Sequence, residues 1–232
     1  MKVSLFNPDR FFSKFSTFQK NSIILYSDPR MCNLVQPISF SQCVGKKVFI
    51  IGDSNVGKTE LTSQFLTYLR TLPKIKKIYV FELGPERFQI KDSSVGGRLS
   101  DYNSSYKNDL HVIQYSYSII PPRSASKHAN EVYKNCLENY QLIHDDFVSV
   151  ITTLLNTSNE DSALIINDFS IFLHLGSHIP ILKLLKTTHT VLVNAYYGQK
   201  LAKDYGSNIS WRERMIVRAL IRHFDYTIHL IK

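Results

Sequence analysis

The stretch Gly52-Asp53-Ser54-Asn55-Val56-Gly57-Lys58-Thr59 lies between an apolar β-type run at residues 47–51 and a run with helical spacing, Leu61, Phe65, Leu66 and Leu69. A strand that passes through a glycine loop into a helix is a narrow structural choice. Gly52 and Gly57 let the backbone turn and approach a ligand with no Cβ in the way. The loop N–H groups then face inward as an anion nest. The helix points its positive dipole end at the same place. Lys58 can then reach the β- and γ-phosphates of a ligand held there, and the Thr59 hydroxyl can ligate Mg2+. Glu60 follows in the first helical turn.

The stretch fits the Walker A pattern GxxxxGK[ST], and the chain therefore resembles the P-loop NTPases. The resemblance implies an α/β fold, a mainly parallel sheet with helices on both faces. It makes Gly52, Asp53, Ser54, Asn55, Val56, Gly57, Lys58, Thr59 and Glu60 the nucleotide-binding set. ATP or GTP with Mg2+ is the implied cofactor.

The rest of the chain agrees with this order. From residue 46 apolar runs of strand length alternate with helical patterns, at 77–82, 110–115, 163–168, 190–194 and 226–231 for strands. A long amphipathic helix covers about 127–156, with Val132, Cys136, Leu137, Ile143, Phe147, Val150, Ile151 and Leu154 on its apolar face. Shorter helices are expected near 180–186 and over 210–223. Repeated βα units of this kind predict a parallel sheet. Residues 45–232 are read as the NTPase domain and 1–44 as a Phe-rich extension. In that extension Phe11, Phe15 and Phe18 share a face of a short helix starting near Asp9, and a short strand is expected around 23–26.

Asp168 is the second anchor. It ends the apolar run Ala163-Leu164-Ile165-Ile166-Asn167 as a Walker B acid does, where a carboxylate holds Mg2+ beside Thr59. The glycine loop is itself similar to that of Rab-type GTPases, yet the chain has neither DTAG nor NKxD. The order from Lys46 onward resembles the RecA/KaiC group of ATPases. That resemblance implies that Glu82, at the end of the strand after the P-loop helix, positions the attacking water and is catalytic with Lys58. It also implies a polar sensor at Asn194. Glu60 departs from the Thr or Ser usual after Thr59. A second resemblance, to polynucleotide 5′-hydroxyl kinases, rests on the Glu-bearing strand end, the glycine loop beyond it, and Asn167-Asp168 before Gly176. It implies mobile cations, for which Arg87, Arg98, Arg123, Arg212, Arg214 and Arg218 are the candidates.

A net charge of +9 over 232 residues admits an acidic partner, nucleic acid included, but no lysine tract or recognition-helix motif accompanies it. Cys32, Cys43 and Cys136 have no metal or disulfide spacing, and the histidines form no HExxH motif. With no apolar run of about 20 residues and no signal-type leader, the expectation is a cytoplasmic protein without a transmembrane segment. The leading functional expectation is ATP binding and Mg2+-dependent hydrolysis coupled to conformational change or assembly, with self-association. The alternatives are a kinase acting on a small-molecule or nucleic-acid 5′-hydroxyl, and a nucleotide-gated binding module with little turnover.

Overall fold

The structure, a computed structural model, describes residues 22–26, 38–90, 93–156, 161–201 and 203–231. The expected helix carrying Phe11, Phe15 and Phe18 lies outside the described residues, as does Cys32. In chain order the elements are β1 (Ser22–Tyr26), α1 (Phe40–Cys43), β2 (Lys47–Gly52), α2 (Lys58–Leu69), β3 (Lys77–Glu82), β4 (Phe88–Ile90) and β5 (Ser93–Val95). There follow β6 (Val112–Ser116), α3 (Ala129–Asn156), β7 (Ser162–Asn167), α4 (Ser170–Leu173), α5 (Ile179–Thr187), β8 (Thr190–Tyr196), α6 (Ile209–Leu220) and β9 (Tyr226–Ile231).

Seven strands form one sheet in the order β1-β9-β2-β8-β7-β3-β6. Six of them run parallel, and β1 adds antiparallel to β9 at one edge. β4 and β5 pair separately as a small hairpin. Three-residue strands leave too little alternation to read in a sequence. Among the described residues no helix is long and apolar enough to cross a membrane.

The sheet separates two cores, as the two-residue period of a strand requires. Val48 and Ile50 of β2 pack with Leu61, Phe65, Leu66 and Leu69 of α2. Phe49 and Ile51, on the other face, pack with Ile143, Phe147, Val150 and Leu154 of α3 and with Val217 and Leu220 of α6. The central strands β7 and β8 are buried along their whole length, as expected for strands covered on both faces.

Helix α3 differs from its expected face at two positions. Leu137 is 38% exposed, whereas Asn139 is wholly buried. Asn139 explains the difference. Its Nδ2 donates to the Ile120 carbonyl at 2.7 Å and its Oδ1 accepts from Ile120 N at 3.0 Å, so the face turns to meet the loop after β6. Phe147 anchors the same helix, with ring centroids 4.7 Å from Phe172 and 5.1 Å from Phe81. Phe147→Ala should cost about 3–5 kcal/mol and Leu137→Ala under about 1 kcal/mol. Urea unfolding of the two variants checks this, and equal losses would contradict the assigned face.

Candidate functional site

The 52–59 loop leaves the C-terminal end of β2 and enters α2. Gly52 has φ +154°, and a Cβ there would stand 2.4 Å from the Leu230 carbonyl oxygen of β9 and 3.0 Å from Val56 Cγ2. Gly57 (φ +95°) and Asn55 (φ +59°) are also left-handed. Val56 is turned down into the core beneath the loop. Asp53 faces sideways, where its Oδ1 accepts from Ser54 N at 2.7 Å and its Oδ2 from Gln199 N at 3.3 Å. Ser54, Asn55, Gly57, Lys58 and Thr59 line a cleft with about 850 Å3 of empty volume, open solvent at its mouth included.

Lys58 Nζ donates to the loop's own carbonyls, Gly52 O at 3.0 Å and Asp53 O at 2.6 Å. Burial pulls its pKa down to about 8, against the pull of Asp168 and Asp53. Asp168 lines the same cleft and follows the last residue of β7 in a left-handed conformation, φ +58°. Aspartate tolerates that region better than most residues. Its N–H donates to Asn194 Oδ1 at 2.9 Å, which fixes the turn. Burial raises the Asp168 pKa, and the nearby Lys58 ammonium opposes that rise. Among the described residues neither the Asp168 carboxylate nor the Thr59 hydroxyl has a hydrogen-bond partner, so both oxygens are free to hold a hard cation such as Mg2+.

Beneath the cleft runs a chain of buried polar side chains. Asn194 Nδ2 donates to Thr62 Oγ1 at 2.8 Å and to Asn167 Oδ1 at 2.6 Å, and Thr62 Oγ1 donates to the Lys58 carbonyl at 2.9 Å. Asn167 Nδ2 donates in turn to Glu82 Oε1 at 2.6 Å. The remaining acceptor capacity of Glu82 goes to backbone, with Gly84 N at 3.2 Å and Leu99 N at 2.6 Å. Glu82 is 1% exposed and does not line the cleft. Burial pushes its pKa up to about 7, and these three donors oppose the rise. In this arrangement Glu82 braces the 84–99 loop, of which Pro85, Phe88, Val95, Gly96 and Gly97 form one wall of the cleft.

Of the six candidate arginines only Arg123 lines the cleft. Arg212 is spent on the carbonyls of Leu173, Leu175 and Gly176. Arg214 donates to Gly198 O, Arg98 to Tyr117 O, and Arg87 pairs with Asp101. Arg123 Nη1 bonds Glu213 Oε2 at 2.7 Å, and His174 Nε2 stands 3.4 Å from the other oxygen. Despite the cost of burial, the Arg123 and His174 side chains hold the Glu213 carboxyl well below the usual carboxylate range. Glu213 was not singled out in the sequence, because an acid between arginines on an amphipathic helix reads as a surface residue. Glu60 sits in the first turn of α2 without lining the cleft.

No family model matches the chain, and no curated protein matches it. Among solved structures it is similar to a Pyrococcus horikoshii OT3 protein, with 11% identity over 75% of this chain and 79% of that one, at a TM-score of 0.28. So loose a likeness leaves the geometry above to stand alone.

Two outcomes follow from the local geometry. Gly52→Ala should destabilise the fold by about 3 kcal/mol, through the clash with Leu230 O and the positive φ. A variant that melts within a degree of wild type would contradict this. The depressed Glu213 pKa contributes stability that is complete above the ordinary carboxylate pKa of 4.5. It is lost as the pH falls below that value. Arg123→Met/Glu213→Gln should therefore lose less stability on acidification than wild type, as read by denaturant unfolding between pH 5 and 3. Parallel acid profiles would rule out the pair's contribution.

Proposed function

We propose that the chain is a P-loop NTPase that binds a nucleoside triphosphate, ATP or GTP, as its Mg2+ complex. The observation that carries this is the meeting of Lys58, Thr59 and Asp168 in one cleft, with both oxygen side chains lacking protein partners among the described residues. On binding, Lys58 Nζ exchanges the carbonyls of Gly52 and Asp53 for phosphate oxygens. Thr59 and Asp168 would hold the metal, which would supply charge neutralisation for the phosphates. The loop N–H groups and the start of α2 supply the rest of the anion cradle.

The coupling we infer lies in Glu82. To orient a water for hydrolysis, its carboxylate has to leave Gly84 N, Leu99 N and Asn167. Leaving them releases the 84–99 loop that walls the cleft, so turnover and loop position change together. This supports an ATPase of RecA/KaiC order that works through conformational change. A nucleotide-gated binding module with little turnover is favoured by a different observation, that Asp168 is the sole acid lining the cleft among the described residues.

Equilibrium titration with Mg·ATP and Mg·GTP tests the binding. Lys58→Ala should weaken it by roughly 10- to 100-fold, the worth of a hydrogen bond to a charged group. Unchanged affinity would overturn the proposal. Phosphate release then separates the two readings. Release that Glu82→Gln abolishes while binding persists identifies the ATPase, and stoichiometric binding with no release in either protein identifies the module.

A further inference from the structure

Arg123 shares the cleft with Lys58 and lies outside the 52–59 loop. Its side chain is 8% exposed. Nη1 donates to Glu213 Oε2 at 2.7 Å and to Ser210 Oγ at 3.2 Å. Nε and Nη2 donate to no group among the described residues, so one edge of the guanidinium fork is left for a ligand in the cleft. The guanidinium lies 5.2 Å from the centroid of the Tyr196 ring, and Lys58 Nζ lies 5.8 Å from the same centroid. One aromatic ring therefore spaces two cations in a single cleft.

The segment that presents Arg123 is pinned on both sides. Asn139 clamps Ile120 through its N–H and its carbonyl, and Ser126 Oγ donates to Pro122 O at 2.6 Å while accepting from Asn135 Nδ2 at 2.9 Å. A charged group held this firmly is preorganised for a ligand. Stability alone does not call for it, since apolar residues of similar volume replace buried ion pairs at little or no cost. A fork with an open edge, facing the cleft of an anion-binding loop, matches a phosphoryl group in shape and charge.

We propose that Arg123, with Ser124 beside it, forms a second phosphoryl subsite of this cleft, and that Glu213 balances the Arg123 charge when no phosphoryl group is bound. The proposal rests on the cleft binding a nucleoside triphosphate at Lys58. The phosphoryl group belongs either to the terminal phosphate of that nucleotide or to a second phosphorylated ligand. Glu213 then competes with the ligand for one guanidinium, so removing the acid and removing the base have opposite effects on affinity. A pair with only a structural role gives no such opposition.

The test is equilibrium binding of Mg·ATP, Mg·ADP, and inorganic phosphate in the presence of Mg·ADP. The proteins are wild type, Glu213→Gln, Arg123→Met/Glu213→Gln and Lys58→Ala, with urea unfolding of each as a check on folding. Glu213→Gln should bind Mg·ATP more tightly than wild type. The double variant should bind it about tenfold or more weakly than Glu213→Gln, with Mg·ADP unchanged. If the subsite serves a second ligand, the same opposite shifts appear in phosphate binding alongside Mg·ADP instead. Should the double variant fail to fold, Arg123→Lys keeps the ion pair but loses the fork, and should weaken Mg·ATP relative to Mg·ADP. Glu213→Gln and double variants that match wild type for both probes overturn the subsite. In that case a loss in Lys58→Ala leaves the nucleotide reading standing, and no loss in Lys58→Ala removes both.

Discussion

Four buried polar side chains hold the working end of this fold together. Glu82 ends β3, Asn167 ends β7, Asn194 lies near the end of β8, and Thr62 belongs to α2, and each is hydrogen-bonded to the next. A buried polar group left unpaired costs about 1–3 kcal/mol, so losing any one member destabilises its neighbours in the network. The requirement fixes the ends of three adjacent strands against the helix that follows the glycine loop. It also fixes Asp168, whose N–H is held by Asn194, and the 84–99 wall, whose backbone is held by Glu82. The position of the cleft therefore follows from interactions that lie outside it.

Charge in the cleft is balanced from within the protein. Lys58 is satisfied by two loop carbonyls and Arg123 by Glu213. Neither arrangement makes full use of the cation. Carbonyls offer dipoles where an ammonium favours an anion, and burial pulls the Lys58 pKa down to about 8 as a result. A bound phosphate chain would supply the missing charge. The Asp168 carboxylate has the converse need, being half-buried with its pKa raised and without a hydrogen-bond donor among the described residues, and a cation would meet it. The cleft is thus least satisfied at the points where a metal–phosphate complex would bear on it.

Much of the fold was legible from residue 46 onward, because buried parallel strands such as Ala163-Leu164-Ile165-Ile166 are continuous apolar runs and α3 repeats its apolar residues at helical spacing. The β4–β5 hairpin was not legible, since its three-residue strands carry no period. Leu137 was misplaced, and Asn139, clamped to Ile120, takes the buried position at that turn instead. Lys58, Thr59 and Asp168 were named from the sequence and do line one cleft. Glu82 was named for a catalytic role, and its placement as a loop brace depends on contacts with Leu99 and Gly84 that no local pattern reveals. Arg123 was one of six arginines with equal standing. Its place in the cleft and its pairing across the fold with Glu213, ninety residues away in the chain, distinguish it.

The central claim is that a metal–triphosphate complex sits between Thr59 and Asp168. The most direct measurement replaces Mg2+ with Mn2+ and follows paramagnetic broadening of the backbone amide resonances with ATP present. Broadening centred on Thr59 and Asp168, which appears with Mn·ATP and is lost in Lys58→Ala, is the predicted result. Broadening centred elsewhere on the protein, or none at saturating Mn·ATP, would contradict the account.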